Sequence, residues 1–539
     1  MINDTRPIVA GGTIAANGPA RRIRARYQRG PPATGAKGVR KPSSDCRGMN
    51  ASYGCQQTQN VHLDGINRED DRAFVTTKWL ALTAAGVWWC ALHPEGVHLV
   101  IVAMLLWLAR PFGRSLGGSD FAVLALLGIL LVAVAARAQS SDNAAANVEQ
   151  MAFTGAVRVV DDPQPLSNST RLIIDVDGTR CELWARRYSI RARLAPISAG
   201  EFLVVSGQIA QLSPDRYERV RWQHVLCEFQ VDWVGDVMEG SLASRASNRV
   251  RSLVTDVGNS ISGERGALFR GLVIGDDRDQ PIEMLQRFRS GGLSHLTAVS
   301  GQNVALILAA ATPLIRRLRP RMQVVTSLLV IGWFVLITRS EPSILRAGVM
   351  AAIAVITTSK GRKIDAVRAL SIAVITLLVI DPLLAASVGF HLSVGATFGV
   401  IVIGPVITSC LPFSTKISVP VGVTLGAQVG VLGPALLVFQ RAPLVALPAN
   451  LLAVPVAGIV MMVGMPVAIV LAVVPFAAQV LVPPLELGVW WVDSVARVAN
   501  WCEPASSWPG ILVSLLLTGG VVVIVASRKM SRLRARHND

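Results

Sequence analysis

His295, Ser300, Gln302 and Asn303 fall within nine residues of one another, in the stretch GGLSHLTAVSGQNVALI at 291–307. Imidazole, hydroxyl and amide groups at that density could form a nucleophile–base pair or hydrogen-bond a polar solute as it passes. The nucleophilic pair would be Ser300 with His295. They are five residues apart, so an unbroken helix does not make them neighbours, and no acid lies near to orient the imidazole. An intramembrane hydrolase is therefore the weakest reading. The stretch sits among apolar runs, where an unpaired polar group in hydrocarbon costs several kcal/mol. These side chains must stay outside a membrane or line something wet within it. Gly291, Gly292 and Gly301 each weaken a helix by about 1 kcal/mol relative to Ala. A discontinuous helix beside an aqueous path accounts for them; small residues that let helices pack closely are the alternative. The concentration of polar groups favours the path.

Other polar residues recur at membrane depth. Glu341 and Arg346 flank PSILRAG at a spacing that could pair them, Asp381 opens DPLL, and His391 follows GF at the head of a run. Gln428 lies mid-run in GAQVG, and Asn450 in LPANLLAVPVAG, whose prolines are expected to break the helix around it. Ionisable and amide groups at this depth are functional candidates by default. Outside the apolar runs, WARRYSIRAR at 184–193 alternates Trp184 and Tyr188 with Arg186, Arg187, Arg191 and Arg193. Aromatic faces in a basic groove suit a single-strand binder; a strand edge guarded by charge is the other reading. No Cys or His spacing suggests a structural zinc site, and no other metal or cofactor is expected.

The elements that position these residues follow from composition. The chain has 539 residues, 51% hydrophobic and 16% charged, with a mean hydropathy of +0.47. Soluble domains carry about a quarter charged residues, and here the apolar residues gather in runs of bilayer-crossing length. This predicts a polytopic α-helical membrane protein. Runs lie near 79–93, 97–109, 121–136, 322–338, 344–358, 366–380, 389–411, 419–439, 443–462, 464–482 and 511–527. With 293–315 they make about twelve spans. Threading them alternately from an internal N-terminus places the basic clusters RPFGR, RRLRPR, KGRK, Lys416 and the C-terminal tail inside, as the positive-inside rule requires. Only Arg441 falls on the wrong side. The net charge of +17 is thus a matter of orientation and does not demand nucleic acid.

The expected organisation is a disordered basic tail at 1–74, N-terminal transmembrane helices at 75–137, an extracytoplasmic β domain at 145–236, a helical linker at 237–290, a transmembrane domain at 291–527 and a basic cytoplasmic tail at 528–539. The β domain shows five or so short alternating runs punctuated by turns such as DDPQPLSNST and VDGT, which suit a small OB-type barrel or a sandwich. Its Cys181 and Cys227 would form a disulfide if they face an oxidising exterior, and are otherwise two buried thiols. In the linker, Leu268, Phe269, Leu272 and Val273 recur at helical spacing with Arg265 and Arg270 between them. That pattern suits an amphipathic helix on the membrane surface or one packed under the β domain.

GLSHLTAVSGQNVALI resembles the signature of the ComEC-type competence protein family, the inner-membrane channel for DNA uptake. EPSILRAGVMAAI, DPLLAASVGFHLSVGATFG and GAQVGVLGPALLVFQRAPLVALPANLLAVPVAG are similar to further family stretches and occur in the family's order. The resemblance implies an OB-like domain ahead of a helical domain that passes single-stranded DNA. Motif positions fall on His295, Ser300, Gly301, Ser343, Arg346, Asp381, Pro382, Phe390, Ser393, Gln428, Asn450 and Pro455. The pore set is then His295, Ser300, Gly301, Gln302, Asn303, Ser343, Arg346, Asp381, His391, Ser393, Gln428 and Asn450. Asn303 stands where many members have histidine, and His391 where many have glutamine. Many members end in a metallo-β-lactamase-like domain; no HxHxDH-type cluster is found here, so the expectation is a channel of the form lacking that domain, without enzymatic activity.

The partners this implies are single-stranded DNA, membrane lipid, other competence proteins (a DNA receptor, a cytosolic ATPase, a separate nuclease) and further copies of the chain. The absence of a P-loop means that the driving force comes from partners or internal binding. A transporter for a small solute or lipid precursor could use the same polar lumen. The expected location is the cytoplasmic membrane, with both termini inside. A reporter fused at Arg316 should report cytoplasmic exposure; an extracytoplasmic signal would invert the threading.

Overall fold

The computed structural model of the chain describes Thr77 and residues 80–96, 118–297, 300–440, 443–504, 508–513, 516 and 519–520. The expected tail at 1–74, the span at 97–109, RPFGR, Arg441, most of the span at 511–527 and the tail at 528–539 lie outside the described residues. Two helices come first, α1 Leu80–Leu92 and α2 Gly118–Ala146. A mixed sheet follows: β1 Met151–Val159, β2 Gln164–Pro165, β3 Thr170–Val176, β4 Thr179–Ala185, then α3 Tyr188–Leu194, β5 Phe202–Gln211, α4 Pro214–Val220 and β6 Val225–Met238. β1 pairs antiparallel with β5, β5 with β6, and β3 with β4, whereas β4 and β6 run parallel. A short β1–β3 pairing closes the sheet on itself.

Alternation builds this sheet. Inward Val157, Leu172, Ile174, Leu183, Leu203, Val205 and Phe229 form one buried core, while their neighbours take the other face, as a pleated strand requires, where Ile173 joins a second small core with Leu212, Val220 and Val225. VDGT is the hairpin the sequence suggests. Asp177 and Gly178 both take positive φ, at 51° and 87°, the combination a two-residue primed turn demands. The Gly178 amide donates to Asp175 Oδ1 at 2.7 Å. Cys181 and Cys227 face each other across β4 and β6 and are joined in a disulfide, with Cα atoms 4.5 Å apart.

Among the described residues the following helices come next: α5 Leu242–Ser260, α6 Glu264–Ile274, α7 Ile282–Ser290, α8 Ser294–Thr297, α9 Gly301–Ile315, α10 Pro320–Ile337, α11 Pro342–Ser359, α12 Ala366–Ile380, α13 Val388–Thr408, α14 Thr415–Phe439, α15 Ala446–Val473 and α16 Ala478–Cys502. Among the described residues, five helices are long and apolar enough to cross a membrane: α10, α11, α13, α14 and α15. α1, α9 and α12 are apolar but shorter. The count of about twelve is therefore not reproduced. One cause is α15, which runs as a single 28-residue helix where two spans are expected. Pro455 and Pro466 lie inside it without ending it, because packing neighbours can take over carbonyls that a proline frees. The Trp491 indole of α16 donates to the Leu452 carbonyl at 3.0 Å, one turn before Pro455.

The linker also differs from expectation. In α6 every residue from Gly266 to Ile274 is buried, and Phe269 and Val273 press on Gly464 of α15. α6 belongs to a large core that also holds Phe288, Val304, Phe334, Ile344, Ala453 and Val489. Arg270 does not mark a surface face, being buried and donating to Asp279 and Asn259, while Arg265 stays partly exposed beside Glu486. Between α13 and α14, Gly395 and Gly399 meet Gly426 and Gly430 so closely that an added Cβ would strike the partner backbone. Small residues allow that approach between membrane helices, and a π-turn at Gly399–Ile403 adjusts the register there.

Replacing Cys181 and Cys227 by Ala opens a loop of 46 residues and should cost about 4 kcal/mol on the chain-entropy account. Denaturant unfolding followed by Trp184 fluorescence should show the sheet melting first in the variant. No change on reduction of the wild type would mean that the bridge contributes nothing.

Candidate functional site

Three helices bring the central polar residues together. Regular helix is interrupted at Ser300, just before α9. Ser300 is extended at the N-cap of α9 and makes no side-chain cap bond. Its Oγ donates instead to Asn303 Oδ1 at 3.2 Å. Asn303 is buried and sends Nδ2 to the Leu272 carbonyl, 3.4 Å away on α6. Arg346 reaches this break from α11. It is 6% exposed, donates from Nε to Ser393 Oγ of α13 at 2.9 Å and points Nη1 at the Met350 sulfur at 3.2 Å. A Cβ added at Gly301 would lie 2.7 Å from Arg346 Nη2 and 3.0 Å from the Ala347 Cβ. Glycine at 301 is what admits the guanidinium.

The remaining expected residues distribute as follows. His295 is exposed on α8, and Gln302 is exposed with its amide beside Gly458 of α15. Ser343 is half-buried in the first turn of α11, and Gln428 is half-buried on α14. Asn450 is buried and donates to the Ala446 carbonyl of its own helix at 2.7 Å. Glu341 and Arg346 do not pair, since five residues along a helix put them on different faces. Asp381 Oδ1 caps the turn Pro382–Ala386 through the Leu383 amide, and its Oδ2 lies 2.8 Å from His224 Nε2 beside β6. His391 lies against Trp88 of α1, with ring centroids 5.0 Å apart and planes tilted by 55°, and its Nε2 faces the Ala385 carbonyl. Neither touches the Ser300–Arg346–Ser393 group.

WARRYSIRAR is not one strand. β4 ends at Ala185 and α3 begins at Tyr188. Trp184 is covered by the Arg216 guanidinium, 5.1 Å above its ring. Arg191 lies 3.5 Å from the Leu166 carbonyl, and Arg193 donates to the Val234 carbonyl. Arg186, Arg187 and Tyr188 stay open to solvent, Tyr188 at 83%. Nearby Glu182, fully buried, binds Arg171 and Arg216. Burial alone would raise its carboxyl; the two guanidiniums outweigh that and hold it below the usual range.

Sequence reasoning missed a second charged cluster, which joins the sheet to the helices. Asp162, in the turn after β1, is 7% exposed. Its Oδ2 lies 2.9 Å from Arg251 Nη2 of α5, and its Oδ1 lies 2.7 Å from Arg339 Nη2, in the turn between α10 and α11. Arg251 also donates to the Ile274 and Ile337 carbonyls, at 3.2 and 3.0 Å. Asp276 lies 3.6 Å from Arg251 and 2.6 Å from Arg278. Burial would raise the Asp162 carboxyl, but Arg251, Arg339 and Arg278 hold it far below the ordinary range. In the sequence Asp162 passes for a turn residue in DDPQ. Its separations of 89 and 177 residues from Arg251 and Arg339 leave no local signal.

These features define a polytopic membrane protein with a closed sheet docked on its helices and a polar group held at a helix break. Residues 272–531 match the family described as Competence protein. The similarity to competence proteins is thus shown for that region of the chain. ComE operon protein 3 of Bacillus subtilis (strain 168) is 23% identical over 314 residues, covering 55% of this chain and 40% of that protein. No solved structure matches.

Asp162→Asn would leave two buried guanidiniums short of a counter-charge, and breaking a buried pair costs about 3–5 kcal/mol. Thermal unfolding in detergent should show a lower midpoint than Arg278→Gln, whose side chain is 26% exposed. Equal midpoints for both variants and the wild type would remove the cluster from the list of stabilising contacts.

Proposed function

We propose that the chain passes single-stranded DNA across the cytoplasmic membrane during DNA uptake. The observation that carries this reading is a coincidence in position. The competence match covers α9, α11 and α13, the helices that bring Ser300, Asn303, Arg346 and Ser393 together. A helix break with half-helix ends and a cation at membrane depth suits an anionic cargo. A duplex is too wide and stiff for a path between helices, so one strand enters. His295, Gln302, Ser343, Gln428 and Asn450 are further wall candidates; Asp381 and His391 hold the frame around them.

The sheet is read as an OB-type barrel on the outer side. Its connectivity, with β4 parallel to β6 and β1 closing on β3, fits that class. A disulfide suits an oxidising compartment. Arg186, Arg187 and Tyr188 offer an open basic and aromatic surface to a strand. The loops holding Arg339 and Asp381 both contact the sheet domain, which agrees with a threading that puts them on one side and both termini in the cytoplasm. The proposed partners are a DNA receptor, a cytosolic ATPase and a separate nuclease; the chain itself acts as a channel, not an enzyme.

Deleting the gene in a competent strain should abolish uptake of labelled DNA into the cytosol, and a plasmid copy should restore it. Unchanged uptake in the deletion strain would overturn the reading. Transport of a small solute by purified protein in vesicles, without any effect of DNA, would replace it with the transporter.

A further inference from the structure

We propose that Arg346 and the amino end of α9 form a binding site for a single tetrahedral oxyanion, and that its ligand is one phosphodiester of the passing strand. The proposal rests on the channel reading above and deepens it. Two independent observations meet at the site. The first is the cation. Arg346 is 6% exposed and forms no ion pair with any carboxylate among the described residues. Nε is taken by Ser393 Oγ. Nη1 has only the Met350 thioether, a weak acceptor. Nη2 has no acceptor among the described residues. A buried guanidinium without a counter-charge is unfavourable, and in proteins such charges are paired or hold a ligand.

The second observation is the helix end that Nη2 faces. α9 has fifteen residues, enough to present free N–H groups and a partial positive charge at its start. Ser300 would be the natural cap, but its hydroxyl is turned to Asn303 Oδ1. The Asn303 amide is used by the Ser300 carbonyl at 3.0 Å, and no side chain caps the Gly301 and Gln302 amides. A guanidinium edge beside uncapped helix amides is a combination that binds phosphate oxygens. Gly301 keeps the space clear, since a methyl there would crowd Nη2 at 2.7 Å. Arginine suits this task better than lysine because its planar fork matches two oxygens. A single cation site lets a strand pause one phosphate at a time without being held fast.

The test uses the full chain in phosphatidylcholine vesicles and a fluorescent oligothymidylate as probe. Wild type should bind the phosphodiester oligomer, and should bind it on the order of tenfold more tightly than the uncharged methylphosphonate oligomer. Arg346→Gln and Gly301→Ala should each lose that preference, and Arg346→Lys should keep part of it. Gly301→Ala keeps the arginine but crowds its Nη2 away from the helix end, so it decides the matter if Arg346→Gln unfolds. A preference intact in Gly301→Ala would overturn the site while leaving the channel reading standing. Inorganic phosphate binding that depends on Arg346, with no binding of either oligomer, would keep the oxyanion site and sink the strand as its ligand, and the channel reading with it. Competition by added phosphatidylglycerol, absent with oligomer alone, would likewise reassign the ligand to a lipid headgroup.

Discussion

The architecture turns on one carboxylate. Asp162 leaves the sheet between β1 and β3 and meets Arg251 of α5 and Arg339 of the α10–α11 turn, all three largely shielded from water. Charges buried in this way are expensive singly and tolerable only together. Lifting the sheet from the helices would therefore strip Arg339 of its carboxylate and leave Arg251 only the more distant Asp276, at 3.6 Å. Arg339 sits at φ 58°, in a region few non-glycine residues adopt. That strain is held by its bonds to Asp162 and to Asn248 Oδ1, the latter at 2.8 Å.

A second docking point reinforces the first. His224, also at positive φ (61°), meets Asp381 at the start of the turn before α13. The two contacts fall on loops separated by α11 and α12, so they fix the sheet in rotation as well as position. Asp381 at the same time caps its own turn, which ties the placement of α13, and with it Ser393, to the docked sheet. A strand bound outside would thus be presented to helices held in register by the same contacts.

The two kinds of arginine are best understood in contrast. Arg251, Arg270, Arg278 and Arg339 are each met by a carboxylate within hydrogen-bonding or ion-pair range. Arg346, buried like Arg251 and Arg270, has a hydroxyl and a thioether instead. A protein that pairs its other buried cations near the sheet leaves unpaired the one at the helix break. In a chain with a competence-protein region, whose proposed cargo is a polyanion, that is where an attractive point has chemical meaning.

Much of this was legible in the residues themselves. Long apolar runs separated by basic loops dictate membrane helices, because hydrocarbon excludes charge and unpaired backbone. Alternating runs with VDGT between two of them dictate a hairpin. The glycines and polar groups of SHLTAVSGQN mark a helix break, which the chain makes at the extended Ser300. Tertiary structure decided the rest. Whether Pro455 ends a helix depends on what satisfies the neighbouring carbonyls, and whether α6 lies on a surface depends on what covers its polar side. Glu341 stands closer in sequence to Arg346 than Ser393 does, yet only Ser393 reaches it. Periodicity and propensity are local properties, whereas charge pairing joins residues 89 and 177 positions apart. Only the fold determines which cation finds a partner and which is left for a ligand.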